Sequence, residues 1–224
     1  MYAYVFPSVF GIKGEKTMKK TVKTLASVMS AVLLMSVCSC NKADTKKTVD
    51  PIIGLMEDSV GKNVDDAEKM FEKYFGVELE GTPGAGSGGD TPLQSYCYDS
   101  TLTKDGVTFT SLVFMVVIDD NTVQQVQLFS DNVDPDKGDY DTSSGKISEI
   151  KGLSKAMNEA VQDKAGKPYH TSPIFEDSKE SYTNIYKTDG FRYVVGVRDL
   201  NDVPEWNERG NHLVDTSILV YQNK

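Results

Sequence analysis

Asp131, Asp134, Asp136, Asp139 and Asp141 put five carboxylates within eleven residues. Hard oxygen donors at such spacing can hold Ca²⁺. The order of an EF-hand loop is not met. Counted from Asp134, Gly138 stands fifth instead of sixth, and Gly145 occupies the place of the bidentate glutamate. Asp134, Asp136 and Asp139 are the metal candidate, set against a solvated acidic turn, which the spacing favours. Gly84-Ala85-Gly86-Ser87-Gly88-Gly89 matches the letters of a dinucleotide loop, but Asp90-Thr91-Pro92 and a β-rich run follow it. A phosphate needs a helix N-terminus there, so the segment reads as a linker and no cofactor is expected.

Nucleophilic chemistry finds no support in spacing. His170 and His212 are the only histidines, without H-E-x-x-H or a Cys/His pair, which argues against zinc. Ser143…Lys146 and Ser148…Lys151 fit S-x-x-K, yet no K-T-G accompanies them and no G-x-S-x-G occurs. Cys97 lies in a strand-like run with no histidine near it in sequence. A catalytic thiol needs an activating neighbour, so Cys97 reads as structural. No catalytic residue is assigned and the chain reads as a non-enzyme. A hydrolase assembled in space around His170 or His212 stays as the last alternative.

Recognition chemistry has better candidates. Trp206 is the only tryptophan and shares a polar connection with Arg209. Tryptophan and arginine are enriched where interfaces concentrate their energy. Tyr182, Tyr186 and Tyr193 fall in later strands and could line a groove for a peptide or a glycan, against the alternative of half-buried packing.

The elements that must position these residues follow from periodicity. Asp50-Pro51 reads as a helix start, with Ile52, Ile53, Leu55, Met56 and Val60 apolar and Gly61 closing it. Asn63 caps a second helix with Val64, Ala67, Met70, Phe71, Tyr74 and Phe75 on one face, stopped by Gly76. A glycine-rich connector leads to strands over 93–103, 107–118 and 122–129, with a turn at Asp105-Gly106. An acidic loop over 131–145 precedes a helix from Ile147 to Val161, then strands over 181–187, 191–198 and 212–222, with a second Asp-Gly turn at Asp189-Gly190. The class is α+β, with antiparallel meander sheets packed by helices. The order allows two units of helix plus three strands, 50–130 and 146–224. A tandem repeat and a coincidence of helix ends and turns both stay open.

The N-terminal part carries a different signal. Met18-Lys19-Lys20 and Lys23 are basic, Leu25–Val37 is apolar, and Val37-Cys38-Ser39-Cys40 follows. That is the layout of an export signal, and the apolar run falls short of the roughly 20 residues of a spanning helix. The motif resembles the lipobox of bacterial lipoproteins, of the type found in Bacteroides-like Gram-negative bacteria. The resemblance implies a signal peptide over 18–39, lipidation of Cys40, a flexible tether over 40–49 and a cell-envelope location. No acidic run follows Cys40, which favours an outer-membrane anchor facing the periplasm. Residues 1–17 read as an extension ahead of a natural start at Met18. Of 24 Lys+Arg, five precede Cys40; of 33 Asp+Glu, one does. From Cys40 onward, 19 basic side chains face 32 acidic ones, a net charge of −13. Such a chain repels phosphate backbones, which excludes nucleic acid and points to cationic partners.

Two consecutive units of helix plus antiparallel meander resemble the arrangement of the β-lactamase-inhibitor proteins. A single unit is similar to the small outer-membrane assembly lipoproteins (SmpA/BamE), and PepSY-type and cystatin-like modules share the element order. The resemblance implies a concave sheet that binds protein and does no chemistry. The expectation is a lipid-anchored envelope protein that binds a protein or peptide, with glycan or small-ligand binding as the alternative.

Overall fold

In the computed structural model the described residues are 42–87, 92–134, 136–176, 178 and 180–223. The expected export signal, the lipobox-like motif at Cys40 and the residues ahead of Met18 lie outside them. The elements are α1 (Lys42–Ser59), α2 (Val64–Phe75), β1 (Thr82–Ser87), β2 (Leu93–Tyr98), β3 (Leu102–Lys104), β4 (Val107–Phe109), β5 (Ser111–Val117) and β6 (Val123–Asp131). Then come α3 (Ser144–Ala165), β7 (His170–Pro173), β8 (Tyr182–Lys187), β9 (Phe191–Asp199), a 3-10 turn (Leu200–Asp202), α4 (Pro204–Glu208) and β10 (Val214–Gln222). The fold is α+β.

Eight strands form one antiparallel sheet in the order β1-β2-β5-β6-β10-β9-β8-β7, and β3 and β4 make a separate hairpin. The order reads outward from a seam. β6 and β10, nine residues each, are the last strands of their halves and pair over seven positions, from Asp131↔Asp215 to Gln125↔Tyr221. On each side of the seam the chain steps back to its outer strand, β1 or β7. The halves are therefore α2-β1-β2-β5-β6 and α3-β7-β8-β9-β10, with four sheet strands each where three were expected. Both are entered through a glycine-capped helix, at Gly76 and Gly166. The connection between β2 and β5 carries the extra β3–β4 hairpin. In the second half the equivalent connection is the turn at Asp189-Gly190.

The sheet's helix-facing side is set by alternation. Leu112, Phe114 and Val116 of β5 are buried, whereas Ser111, Val113, Met115 and Val117 between them are half-buried. Phe114 meets Phe71 of α2 edge-on at 5.5 Å between ring centroids and Tyr98 of β2 at 5.4 Å. α2 is held by its Asn63 cap, whose side chain accepts the Asp65 N–H at 3.0 Å. α3 starts on Ser143, which accepts the Lys146 N–H at 3.3 Å.

α1 lies over the seam between the other two helices. Its buried face is Val49, Ile52, Ile53 and Met56, and Lys46 and Glu57 pair with Asp163 and Lys164 of α3. This corrects two expectations. The helix does not start at Asp50-Pro51: Pro51 lies inside it, on the exposed side. The tether expected over 40–49 is helical from Lys42, with Thr48 and Val49 already buried. An interior proline costs about 3 kcal/mol. Burying four apolar side chains at about 1.5–3 kcal/mol each exceeds that cost.

The outer strand β1 also corrects a linker reading. Thr82-Pro83-Gly84-Ala85-Gly86-Ser87 pairs with β2. It lies so close that a Cβ on Gly84 would stand 2.3 Å from Ser95 Oγ. A Cβ on neighbouring Gly81 would stand 2.6 Å from the Tyr98 ring.

Candidate functional site

Three tyrosines of the sheet reach up to three helices. Tyr98 donates to Glu68 of α2, Tyr193 donates to Glu57 of α1 at 2.7 Å, and Tyr186 donates to Asn158 of α3 at 2.8 Å. All three rings are buried, and burial, reinforced by carboxylate partners at Tyr98 and Tyr193, pushes their phenols up. Tyr186 and Tyr193 were expected as partner contacts. They are cross-strand neighbours on the helix side of the sheet and are enclosed, so the expectation does not hold for them.

The other candidates separate into two places. Trp206 and Arg209 stand together on the β9–β10 connection, with the guanidinium 5.5 Å from the indole ring and 2.7 Å from Glu205. The indole is half-buried and Arg209 is exposed. Tyr182 is at the far side of the sheet, in a groove between α3 and β8.

The acidic loop is tied to the Trp206 connection by Asn132. Its amide nitrogen donates to the carbonyls of Asp141 and His212 at 3.1 and 3.0 Å, and its oxygen accepts the Val214 N–H at 2.8 Å. The calcium candidate does not assemble. Asp134 turns onto its own loop. One oxygen accepts the N–H groups of Asp136 and Lys137 at 3.0 and 3.3 Å, and the other takes the Lys137 ammonium at 2.7 Å. Those bonds hold Asp134 below the usual carboxylate range. Among the described residues no three His, Cys, Asp or Glu side chains converge on a common point.

His170 is exposed on β7, while His212 shares its Nδ1 with Asn201 Oδ1 at 2.9 Å. Cys97 is half-buried, and burial raises its thiol pKa. That is the opposite of what a nucleophile needs.

The second face of the sheet was not expected in its full extent. None of the described helices packs on the second face of the sheet. One row of register partners crosses it from Cys97 through Val113, Gln127, Leu219 and Val194 to Ile185; Leu219 and Val194 are buried and the other four are half-buried. Met115 and Phe129 stand on the same face in the flanking rows. At the end where β6 leaves and β10 begins, Arg198 Nε donates to Asp215 at 2.9 Å, and Asp131 stands across from Asp215. Burial pushes the Asp215 carboxyl up against the pull of Arg198. Residues 131–141 and 198–215 at this end hold ten carboxylates against Lys137, Arg198 and Arg209, and Lys151 of α3 pairs with one of the ten, Asp199, at 2.7 Å. An apolar centre bordered by a polar, charged margin is the anatomy of a protein-binding surface. The sequence signal was the run Val113–Val117, apolar at every position, which the strand's alternation splits between two faces.

Comparison of the chain with protein-family models, with curated proteins and with solved structures finds no match.

Proposed function

We propose that the chain is a lipid-anchored envelope protein that holds a basic protein or peptide partner on the second face of its sheet and does no chemistry of its own. The observation that carries the reading is the face of the sheet on which none of the described helices packs, with Val113 and Phe129 half-buried and Leu219 buried near its centre. The acidic end beside it gives the charge of the partner. Ten carboxylates against Lys137, Arg198, Arg209 and the Lys151 paired with Asp199 favour a basic surface through long-range attraction. Trp206 and Arg209 at that end supply an aromatic and a cationic anchor. The anchor to an outer membrane, on its periplasmic side, rests on the Cys40 motif. Among the described residues no helix is long and apolar enough to cross a membrane.

The test is crosslinking and capture of the protein from its own envelope, with Phe129→Glu and Tyr182→Ala versions alongside. One stoichiometric basic protein is expected with the unaltered chain and with Tyr182→Ala, and not with Phe129→Glu. Equal recovery with Phe129→Glu overturns the reading, as does a partner as acidic as this chain. Cys40→Ala is expected to move the protein to the soluble fraction. Retention in the membrane fraction overturns the lipid anchor.

A further inference from the structure

Strands repeat about every 4.8 Å and packed helices about every 10 Å. Eight strands are therefore roughly 34 Å wide, and three helices cover roughly 30 Å of them. In the second half the uncovered width falls on β7 and the outer side of β8. An open, shallow groove of about 410 Å³ lies there against α3.

The groove is lined by amides held in place before any ligand arrives. Lys155, Asn158, Glu159 and Gln162 form one stripe of α3. Asn158 Oδ1 accepts from Asn184 Nδ2 and from the Tyr186 hydroxyl, both at 2.8 Å, and Asn158 Nδ2 donates to the Ser154 carbonyl at 2.9 Å. Asn184 Oδ1 in turn accepts from Thr171 at 2.7 Å. The Asn184 amide also faces the Tyr186 hydroxyl, and its oxygen keeps one lone pair beyond these bonds. Tyr182, two residues along β8, turns to the same side and is half-buried. The two charged groups of the stripe, Lys155 and Glu159, pair with each other at 3.5 Å, so the wall carries no net charge. Tyr169, just ahead of β7 and next to Pro168 of the lining, is 70% exposed.

Fixed amides that donate and accept, a half-exposed aromatic ring and a wall without net charge match one ligand class. Vicinal hydroxyls both donate and accept, and the C–H face of a pyranose packs on a ring. We propose that this groove binds a neutral sugar, at a site separate from the second face of the sheet.

The test is a titration of the full chain with three neutral trisaccharides, maltotriose, cellotriose and chitotriose, and with trigalacturonate as an anionic probe. The side-chain amide resonances of Asn158, Gln162 and Asn184 are read by NMR. At least one neutral probe is expected to shift them saturably below 10 mM. Tyr182→Ala is expected to weaken that binding about tenfold, the loss of one ring contact. Phe129→Glu is expected to leave it unchanged, so this result is independent of the partner reading. No shift with any neutral probe overturns the proposal, as does equal or tighter binding of trigalacturonate. Unchanged affinity in Tyr182→Ala combined with Asn184→Ala, in a variant whose amide spectrum shows it folded, also overturns it.

Discussion

Tyr193 of β9 donates its hydroxyl to Glu57 Oε1 of α1 at 2.7 Å, and Lys164 of α3 reaches both oxygens of that same carboxylate at 3.0 Å. One side chain thus joins the sheet, the seam helix and the second half's helix. Glu57 is mostly enclosed, and its two partners are what make that position tolerable for a charge. Tyr193→Phe removes one hydrogen bond to a charged acceptor and leaves the ion pair, so it is expected to cost about 1.5 kcal/mol. Glu57→Ala leaves the Tyr193 hydroxyl buried without its acceptor and is expected to cost more, about 2–3 kcal/mol. Urea denaturation reads both as a lower midpoint at unchanged slope.

The same tyrosines set the behaviour in alkali. Tyr98 and Tyr193 are raised above their ordinary value of 10.0, by burial first and then by the neighbouring Glu68 and Glu57. A phenol raised in the folded state binds its proton more tightly there than in the unfolded chain. Its contribution is fully present below pH 10 and is lost as pH rises from there through the folded value. Stability is therefore expected to be flat from pH 7 to 9 and to fall above about pH 10. Replacing both residues by phenylalanine is expected to remove part of that fall while lowering stability at pH 8. Urea midpoints at pH 8 and pH 10.5 check the sign. An equal alkaline loss with and without the two hydroxyls would assign it to other groups.

The first turns of α1 test whether residues 42–49 act as a spacer. A flexible tether can be shortened without cost. Here Thr48 and Val49 are buried and Lys46 pairs with Asp163. A chain that begins at Asp50 is expected to be about 2 kcal/mol less stable than one that begins at Asn41, mostly from the lost burial of Val49. Most of the loss is expected in Val49→Ala alone.

The strands that alternate were legible and those that do not were missed. β8 and β9 fall within one residue of the expected runs, because Tyr182–Lys187 and Phe191–Asp199 are rich in aromatic and β-branched residues and flank an Asp-Gly turn. β1 and β7, Thr82–Ser87 and His170–Pro173, have no apolar alternation. They form because a neighbouring strand offers a free row of backbone groups, which is invisible in their own residues. The start of α1 was misread for a local reason. Asp-Pro is a good helix start in isolation, and the burial of Thr48 and Val49 that extends the helix past it is tertiary. Tyr182, Tyr186 and Tyr193 looked equivalent in the sequence. Tyr182 and Tyr186 share β8 and both line the groove; only position along the strand leaves Tyr182 half-buried while Tyr186, like Tyr193, is enclosed.

The two halves are expected to be inseparable. Each repeats the other's strand order, which invites cutting the chain in the acidic loop. The seam argues against it. Separation would leave β6 and β10 as long edges with seven paired positions undone, and central edges of that length favour aggregation over independent folding. α1 would also be stripped of partners, because its buried face covers both seam strands and its ion pairs go to α3. A fragment of residues 42–131 and one of 144–223 are each expected to give collapsed amide dispersion by NMR and no cooperative urea transition. Mixed together, they are expected to recover both, since the seam supplies the missing pairing to each. A cooperative transition in either fragment alone would show that the repeat is a pair of domains, and that the seam is a docking contact between them.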